Sequence, residues 1–314
     1  MKLMDVTIRE SVYYGSGIDY REGLEYLSKL PQFIRPEEVE YVEICYVNNN
    51  EEGHLNYNAD FIRSAAEIVD GRYKLVGMMH PGCVDLDRWD PDAIRLLSLV
   101  RIVCGGDSIP DEVGEYVNYL HALGVEVGIN VSFALRKSFE RIRELSEKCT
   151  AFGADYVYLA DSSGSGYSGD IRRMCDILLG TKKTNKTGLH LHDHLSLSFA
   201  NAIEAVARGI DITDVSITGA GRGGGNLKTE FMIPYLKQLS NVPLEEELFD
   251  RLLEYIEYFN VLIKRDGAVQ KQQFLDTLSG IFKLGLKQQE LIEKEANGNG
   301  YKYIKYVFED QRHD

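Results

Sequence analysis

Eight times along this chain an apolar stretch of strand length is followed by a stretch in which apolar residues recur at helical spacing. Leu3 to Ile8 is the first such strand, and Leu24, Leu27 and Leu30 mark the helix behind it. The later strands are predicted at 41–45, 75–79, 99–104, 125–131, 156–159, the run ending Leu189-His190-Leu191-His192, and 215–217. Parallel strands need crossover helices, and eight strand–helix units close on themselves, so the pattern predicts a (β/α)8 TIM barrel over 1–242. A doubly wound open sheet is the alternative. From Pro243 the pattern is helical only, with apolar stripes at Leu248, Leu252, Ile256 and Phe259, then at Phe274, Leu278, Ile281, Phe282 and Leu286. This predicts a small C-terminal helical region over 243–314, ending in a tail, Tyr301 to Phe308, that alternates like an edge strand.

Polar residues collect where the apolar runs end, which in a barrel is the catalytic rim. Arg9-Glu10, Asn48, His80, Asn130, Ser132, Asp161-Ser162-Ser163, His190, His192 and the turn from Gly219 all fall there. The strand period of two puts His190 and His192 on one face, and two imidazoles aimed the same way are half of a metal site. Glu10 adds a carboxylate, giving a mixed oxygen and nitrogen set suited to a divalent ion with positions left open. Such an ion can chelate a 2-oxo acid and stabilise its enolate, while Arg9 supplies a fixed positive charge where oxygen charge develops. The turn Gly219-Ala220-Gly221-Arg222-Gly223-Gly224-Gly225-Asn226 contains a GxGxxG. That fingerprint belongs to the first unit of a dinucleotide fold, and here it closes the eighth, so a loop over the barrel mouth with Arg222 and Asn226 facing substrate is the better reading.

The net charge of -14 argues against a nucleic-acid groove or an anionic membrane surface as partner. Five scattered cysteines suit a reducing compartment, no apolar run reaches membrane-spanning length, and the acidic Asp5 interrupts the first residues too early for a signal peptide. The expectation is a cytoplasmic protein.

Asp5-Val6-Thr7-Ile8-Arg9-Glu10 resembles the DVTLRD opening of the DRE-TIM metallolyase superfamily, and Val42-Glu43-Ile44 its second-strand IEV. Leu159-Ala160-Asp161-Ser162-Ser163-Gly164 resembles the DSGG loop of its 4-hydroxy-2-oxovalerate aldolases. The stretch His190-Leu191-His192-Asp193-His194-Leu195-Ser196-Leu197 is similar to their HxHxNLSL, and Asp214 to Asn226 to their closing glycine-rich segment. The resemblance implies Mn2+ or Mg2+ held by Glu10, His190 and His192, with Asn226 a further ligand. It assigns Arg9 to oxygen stabilisation and Glu43 to a supporting contact, and leaves Asn130, Ser132, Asp161, Ser162 and Arg222 to bind substrate. Two departures stand out. The family has aspartate where Glu10 stands, and one extra methylene moves the carboxylate by about 1.5 Å. The aldolases also carry a histidine acid/base after the arginine, where this chain has Ser11-Val12-Tyr13. Tyr13 sits at the matching position, with His80 or His54 as alternatives from neighbouring loops.

The implied activity is metal-dependent aldol chemistry between a 2-oxo acid such as pyruvate and an aldehyde. Claisen condensation of an acyl-CoA with a 2-oxo acid is a second reading, and a non-catalytic barrel subunit a third. The resemblance also implies an acylating aldehyde dehydrogenase as partner, and the helical stripes suggest a homo-oligomer.

Overall fold

The structure, a computed structural model, describes residues 1–13, 17–49 and 55–310. Its first strand, β1 (Lys2–Asp5), is shorter than the apolar run. The Asp5 carboxylate accepts the Thr7 backbone N–H at 2.8 Å, which turns the chain into a one-turn helix, α1 (Thr7–Glu10), instead of letting the strand run on to Ile8. Strand–helix pairs then follow in order. Helix α2 (Tyr20–Phe33) opens on a capping box between Asp19 and Glu22 and leads to β2 (Tyr41–Tyr46). Next come α3 (Ala59–Val69), β3 (Lys74–Met79), the short α4 (Pro91–Ile94), β4 (Leu99–Cys104) and α5 (Glu112–Ala122). They are followed by β5 (Glu126–Val131), α6 (Phe139–Ala151), β6 (Tyr156–Asp161) and α7 (Ser168–Thr181). The last units are β7 (Lys186–Leu191) with α8 (Ser198–Arg208), and β8 (Ile212–Val215) with α9 (Thr229–Leu239).

Each strand pairs in parallel with the next, and β8 returns to β1 with Asp5 opposite Val215, closing an eight-stranded barrel. The eighth strand lies earlier than the predicted 215–217, because Ser216 leaves the sheet to pair with Lys228. Helices α10 (Glu246–Leu262), α11 (Ala268–Ile281), α12 (Leu286–Ala296) and α13 (Gly300–Asp310) complete the described chain. The first predicted stripe lies on α10, where Leu248, Leu252, Ile256 and Phe259 are buried. The second is split, since α11 ends at Ile281 and Leu286 opens α12. The tail read as an edge strand is helical. Its buried residues, Tyr303, Ile304 and Val307, stand at helical spacing, and the alternation of Tyr301, Tyr303 and Ile304 with lysines is incidental. Among the described residues no helix is long and apolar enough to cross a membrane.

The barrel interior is filled by Met4, Val6, Tyr41, Val76, Leu99, Tyr156, Tyr158 and Ile212, all buried. Three tyrosines in this layer need room, and Gly188 on β7 provides it, since a Cβ there would fall inside the Tyr158 ring. The same strand therefore supplies space at Gly188 and, two and four residues on, the two imidazoles of the rim.

Candidate metal and oxyanion site

Above the tyrosine layer lies a buried line of charge. Arg101, midway along β4 and fully buried, donates from Nε to Glu43 at 2.8 Å and from Nη1 to Asp214 at 2.6 Å. The second Glu43 oxygen accepts from Arg9 Nε at 2.6 Å, and Arg9 Nη1 also pairs with Glu10. At the other end, Asp214 Oδ2 lies 2.8 Å from Nδ1 of His190. Burial opposes the charge on both arginines, but the flanking carboxylates outweigh it: Glu43 holds Arg9, and Asp214 with Glu43 holds Arg101, above the ordinary guanidinium range. Burial likewise works against ionised Asp214, yet Arg101 and His190 keep it below the usual carboxylate range. The guanidinium of Arg9 is thus fixed on two sides before any substrate arrives.

The histidine pair is aimed by its neighbours. Asp214 accepts from Nδ1–H of His190 and so orients the ring with its Nε2 toward His192. His192 lies one residue beyond β7, but the chain continues to pair there: His192 bridges Asn226, Asp193 donates to the Gly225 carbonyl at 2.8 Å, and Leu227 to the Leu191 carbonyl at 3.1 Å. The glycine-rich loop is thereby tied by an isolated antiparallel bridge to the backbone that carries the second imidazole. The two Nε2 atoms face each other at 3.2 Å with the rings at 80°. Burial first, and then His190, His194, Arg222 and Arg9, push the His192 pKa down to about 3, so this ring is neutral. Neutral imidazole is the form that binds a metal.

The remaining predicted residues divide. Arg9, Glu10, Asn130, Ser132, Ser162, His190, His192 and Arg222 line one cavity of about 240 Å3, together with Tyr46, Met78, His80, Val103, Phe133 and Ala160. Glu43 sits beneath it, between the two arginines. Asp161 is turned away, its oxygens accepting from the backbone N–H groups of Ser165 at 3.1 Å and Gly166 at 2.9 Å. Asn226 lies outside the lining; it donates to the Ala220 carbonyl at 2.8 Å, and its buried Oδ1 has no partner. The Tyr13 side chain and all of His54 fall outside the described residues. Arg101 and Asp214 were not assigned roles from sequence, although an arginine inside the apolar run Leu99 to Cys104 was a signal that something acidic awaited it.

The donor chemistry fits a divalent cation. Two imidazole nitrogens converge, and Glu10 Oε2 and Asn226 Oδ1 are buried acceptors without hydrogen-bond partners. Among the described residues no group of three His, Cys, Asp or Glu side chains is placed to hold a metal ion, and Glu10 is paired with Arg9.

Residues 98–250 match the model of the HMGL-like family. That match is to just under half of the chain, which over this stretch is similar to the HMGL-like family. This stretch holds Arg101, Asn130, the histidine pair and Asp214, while the Arg9-Glu10 turn precedes it. A 4-hydroxy-2-oxovalerate aldolase of Pelotomaculum thermopropionicum is 22% identical over 295 residues, covering 90% of this chain and 83% of that protein. Among solved structures, the N-terminal domain of a candidate aldolase from Bacteroides vulgatus superposes with a TM-score of 0.71 at 24% identity, covering 84% of this chain and 87% of that one. A hydroxymethylglutaryl-CoA lyase from Pseudomonas aeruginosa follows with 0.63 at 14% identity, covering 85% and 94%. The chain is thus similar to the HMGL-like family over 98–250 and, at low identity, to 4-hydroxy-2-oxovalerate aldolases, and it shares its fold with the solved structures.

Proposed function

We propose that this chain is a divalent-metal-dependent aldolase that makes or breaks a carbon–carbon bond beside a 2-oxo acid such as pyruvate. The observation that carries the reading is the pair of Nε2 atoms facing each other at 3.2 Å in the cavity that Arg9 also lines. Glu10, His190 and His192 would hold Mn2+ or Mg2+, with Asn226 joining them. The cation supplies Lewis-acid stabilisation of an enolate. Arg9, anchored by Glu43, adds charge at the developing oxyanion without having to reorganise. Asn130, Ser132 and Ser162 offer hydrogen bonds to the acid, and Arg222, stacked 5.4 Å from the Phe133 ring, offers a charge at the mouth. A cavity of about 240 Å3 suits a small acid and a short aldehyde. Proton transfer is assigned to Tyr13 by the same reading, and an acylating aldehyde dehydrogenase and self-association belong to it as partners.

The test is pyruvate release from a panel of 4-hydroxy-2-oxo acids by protein loaded with Mg2+ or Mn2+, followed through lactate dehydrogenase. Wild type should release pyruvate, and His190→Ala should fall to background. A metal-loaded protein that releases none across the panel contradicts the proposal.

A further inference from the structure

Resting on the aldolase reading, the charges around the cavity bear on what the second reactant carries. Histidines aside, three ionisable side chains line it: Arg9, Glu10 and Arg222. Arg9 is answered by Glu10 and Glu43. Arg222, exposed at the mouth, has no carboxylate partner among the described residues and rests on the Phe133 ring at 5.4 Å. In a chain of net charge -14, an unanswered cation in the cavity wall is a local exception, and it would draw an anion inward. Its setting is built. Phe133 stands at φ 50° and ψ 41°, a left-handed conformation that a bulky residue rarely adopts, and its backbone N–H donates to Ser162 Oγ at 2.9 Å. The loop opposite is seated by close approach, since a Cβ at Gly221 would overlap the Asn226 amide and one at Gly223 would overlap the His194 ring. Only the residue between these two glycines has room for a side chain. Two more cations attend Phe133. The Arg136 guanidinium lies 5.7 Å from the same ring, and Lys137 Nζ donates to the carbonyls of Gly105, Ser132 and Phe133 at 3.3, 3.2 and 3.5 Å. Carbonyls satisfy an ammonium without cancelling its charge, and neither Arg136 nor Lys137 is paired with a carboxylate among the described residues; Asp107 acts on Lys137 only through space.

We propose that the acceptor aldehyde carries an anionic group of its own, a carboxylate or a phosphate, and that Arg222 is the specificity-determining residue that binds it beside Phe133. The 2-oxo acid engages the histidine pair and Arg9, which leaves the Arg222 charge for the other reactant. In the condensing direction pyruvate gives up a methyl proton and its C3 bonds to the aldehyde carbon. The carbonyl electron pair moves onto the aldehyde oxygen, which takes up a proton. The product is a 4-hydroxy-2-oxo acid with a second negative charge at its far end. A guanidinium suits either anion, because its forked N–H donors match two oxygens of a carboxylate or a phosphate. That anion takes no part in the bond making, so Arg222 holds it equally in ground and transition states and the selection is read in kcat/KM.

The experiment measures condensation of pyruvate with matched aldehydes by the Mg2+-loaded enzyme, the 4-hydroxy-2-oxo acid being followed by proton NMR. Succinic semialdehyde is set against butanal, and glycolaldehyde phosphate against glycolaldehyde. Wild type should favour at least one charged aldehyde over its neutral counterpart by about 10- to 100-fold in kcat/KM, the range for hydrogen bonds to a charged group, and added salt should shrink that ratio. The pair with the larger ratio tells carboxylate from phosphate. Arg222→Gln should bring the ratio close to one by lowering kcat/KM for the charged aldehyde, and Arg222→Lys, which keeps the charge but not the fork, should retain part of it. A wild type indifferent to the charge, or an Arg222→Gln variant with the full preference, overturns the proposal while leaving the aldolase reading standing. No condensation with any of the four aldehydes would overturn both, and thiol release from acetyl-CoA with pyruvate would then assign these cations to an acyl-CoA instead.

Discussion

Arg101 is held between two carboxylates that lie 58 and 113 residues away in the chain, at Glu43 and Asp214. Replacing it by leucine would leave two buried anions facing each other. Arg101→Leu should cost about 3–5 kcal/mol of stability in urea unfolding, the usual price of breaking a buried pair from one side. A loss under about 1 kcal/mol would show that the charges are not mutually dependent. Glu230, at the start of α9, is the opposite case. It is 2% exposed, and its oxygen accepts the Thr218 N–H at 3.1 Å, but burial pushes its pKa up to about 7. A carboxyl raised in the folded state stabilises below its unfolded value near 4.5, and that contribution is lost as the pH rises through about 7. Glu230→Gln should therefore leave stability at pH 4 nearly unchanged and raise it at pH 8 by about 1–3 kcal/mol. Thermal unfolding at the two pH values reads the difference, and equal effects at both would refute it. The sequence signalled only that Arg101, set in an apolar run, needs an acidic partner, and it gave neither that partner nor the burial of Glu230. Each depends on partners that only the closed barrel brings together, whereas Arg9, His190 and His192 were visible because they end their apolar runs.

At the level of elements, period and length gave the eight strand–helix units, but side chains that bond their own backbone set the ends. Asp5 stops β1 by capping Thr7, and the loop from Gly219 pairs with the end of β7 and so holds His192 in place beyond the strand. The helical tail escaped the strand reading only through which of its residues are buried, a property of packing against α10, α11 and α12. Gly188 carries a related consequence. Gly188→Ala would force the Tyr158 ring out of the barrel layer, and an overpacked core site of this kind costs about 1–3 kcal/mol. The shift should also misplace His190, two residues on, so the variant should lose metal affinity along with stability. Unchanged affinity at reduced stability would separate the two.

On the scale of the whole molecule, the C-terminal helices are tied to the first strand. Tyr255 on α10 donates to Asp5 at 3.2 Å, beside the bond of 2.6 Å from Tyr26, and its ring stacks on Phe33 at 5.1 Å. Arg251 pairs with Glu38 at 3.0 Å. Asp5 in turn caps the helix that carries Arg9 and Glu10, so the end of the chain supports its beginning. Tyr255→Phe should lower stability by about 1–3 kcal/mol, the range for a hydrogen bond to a buried charge, and weaken catalysis through the Arg9-Glu10 turn. Full activity in a destabilised variant would restrict α10 to a packing role. The central claim, that the histidine pair and Glu10 hold a cation beside Arg9 in order to stabilise an enolate, is tested most directly without any aldehyde. Pyruvate in D2O, followed by proton NMR, should lose its methyl signal in the presence of the protein and Mg2+, and keep it when EDTA is added or His190 is alanine. A methyl signal that persists over Mg2+-saturated wild type would contradict the account.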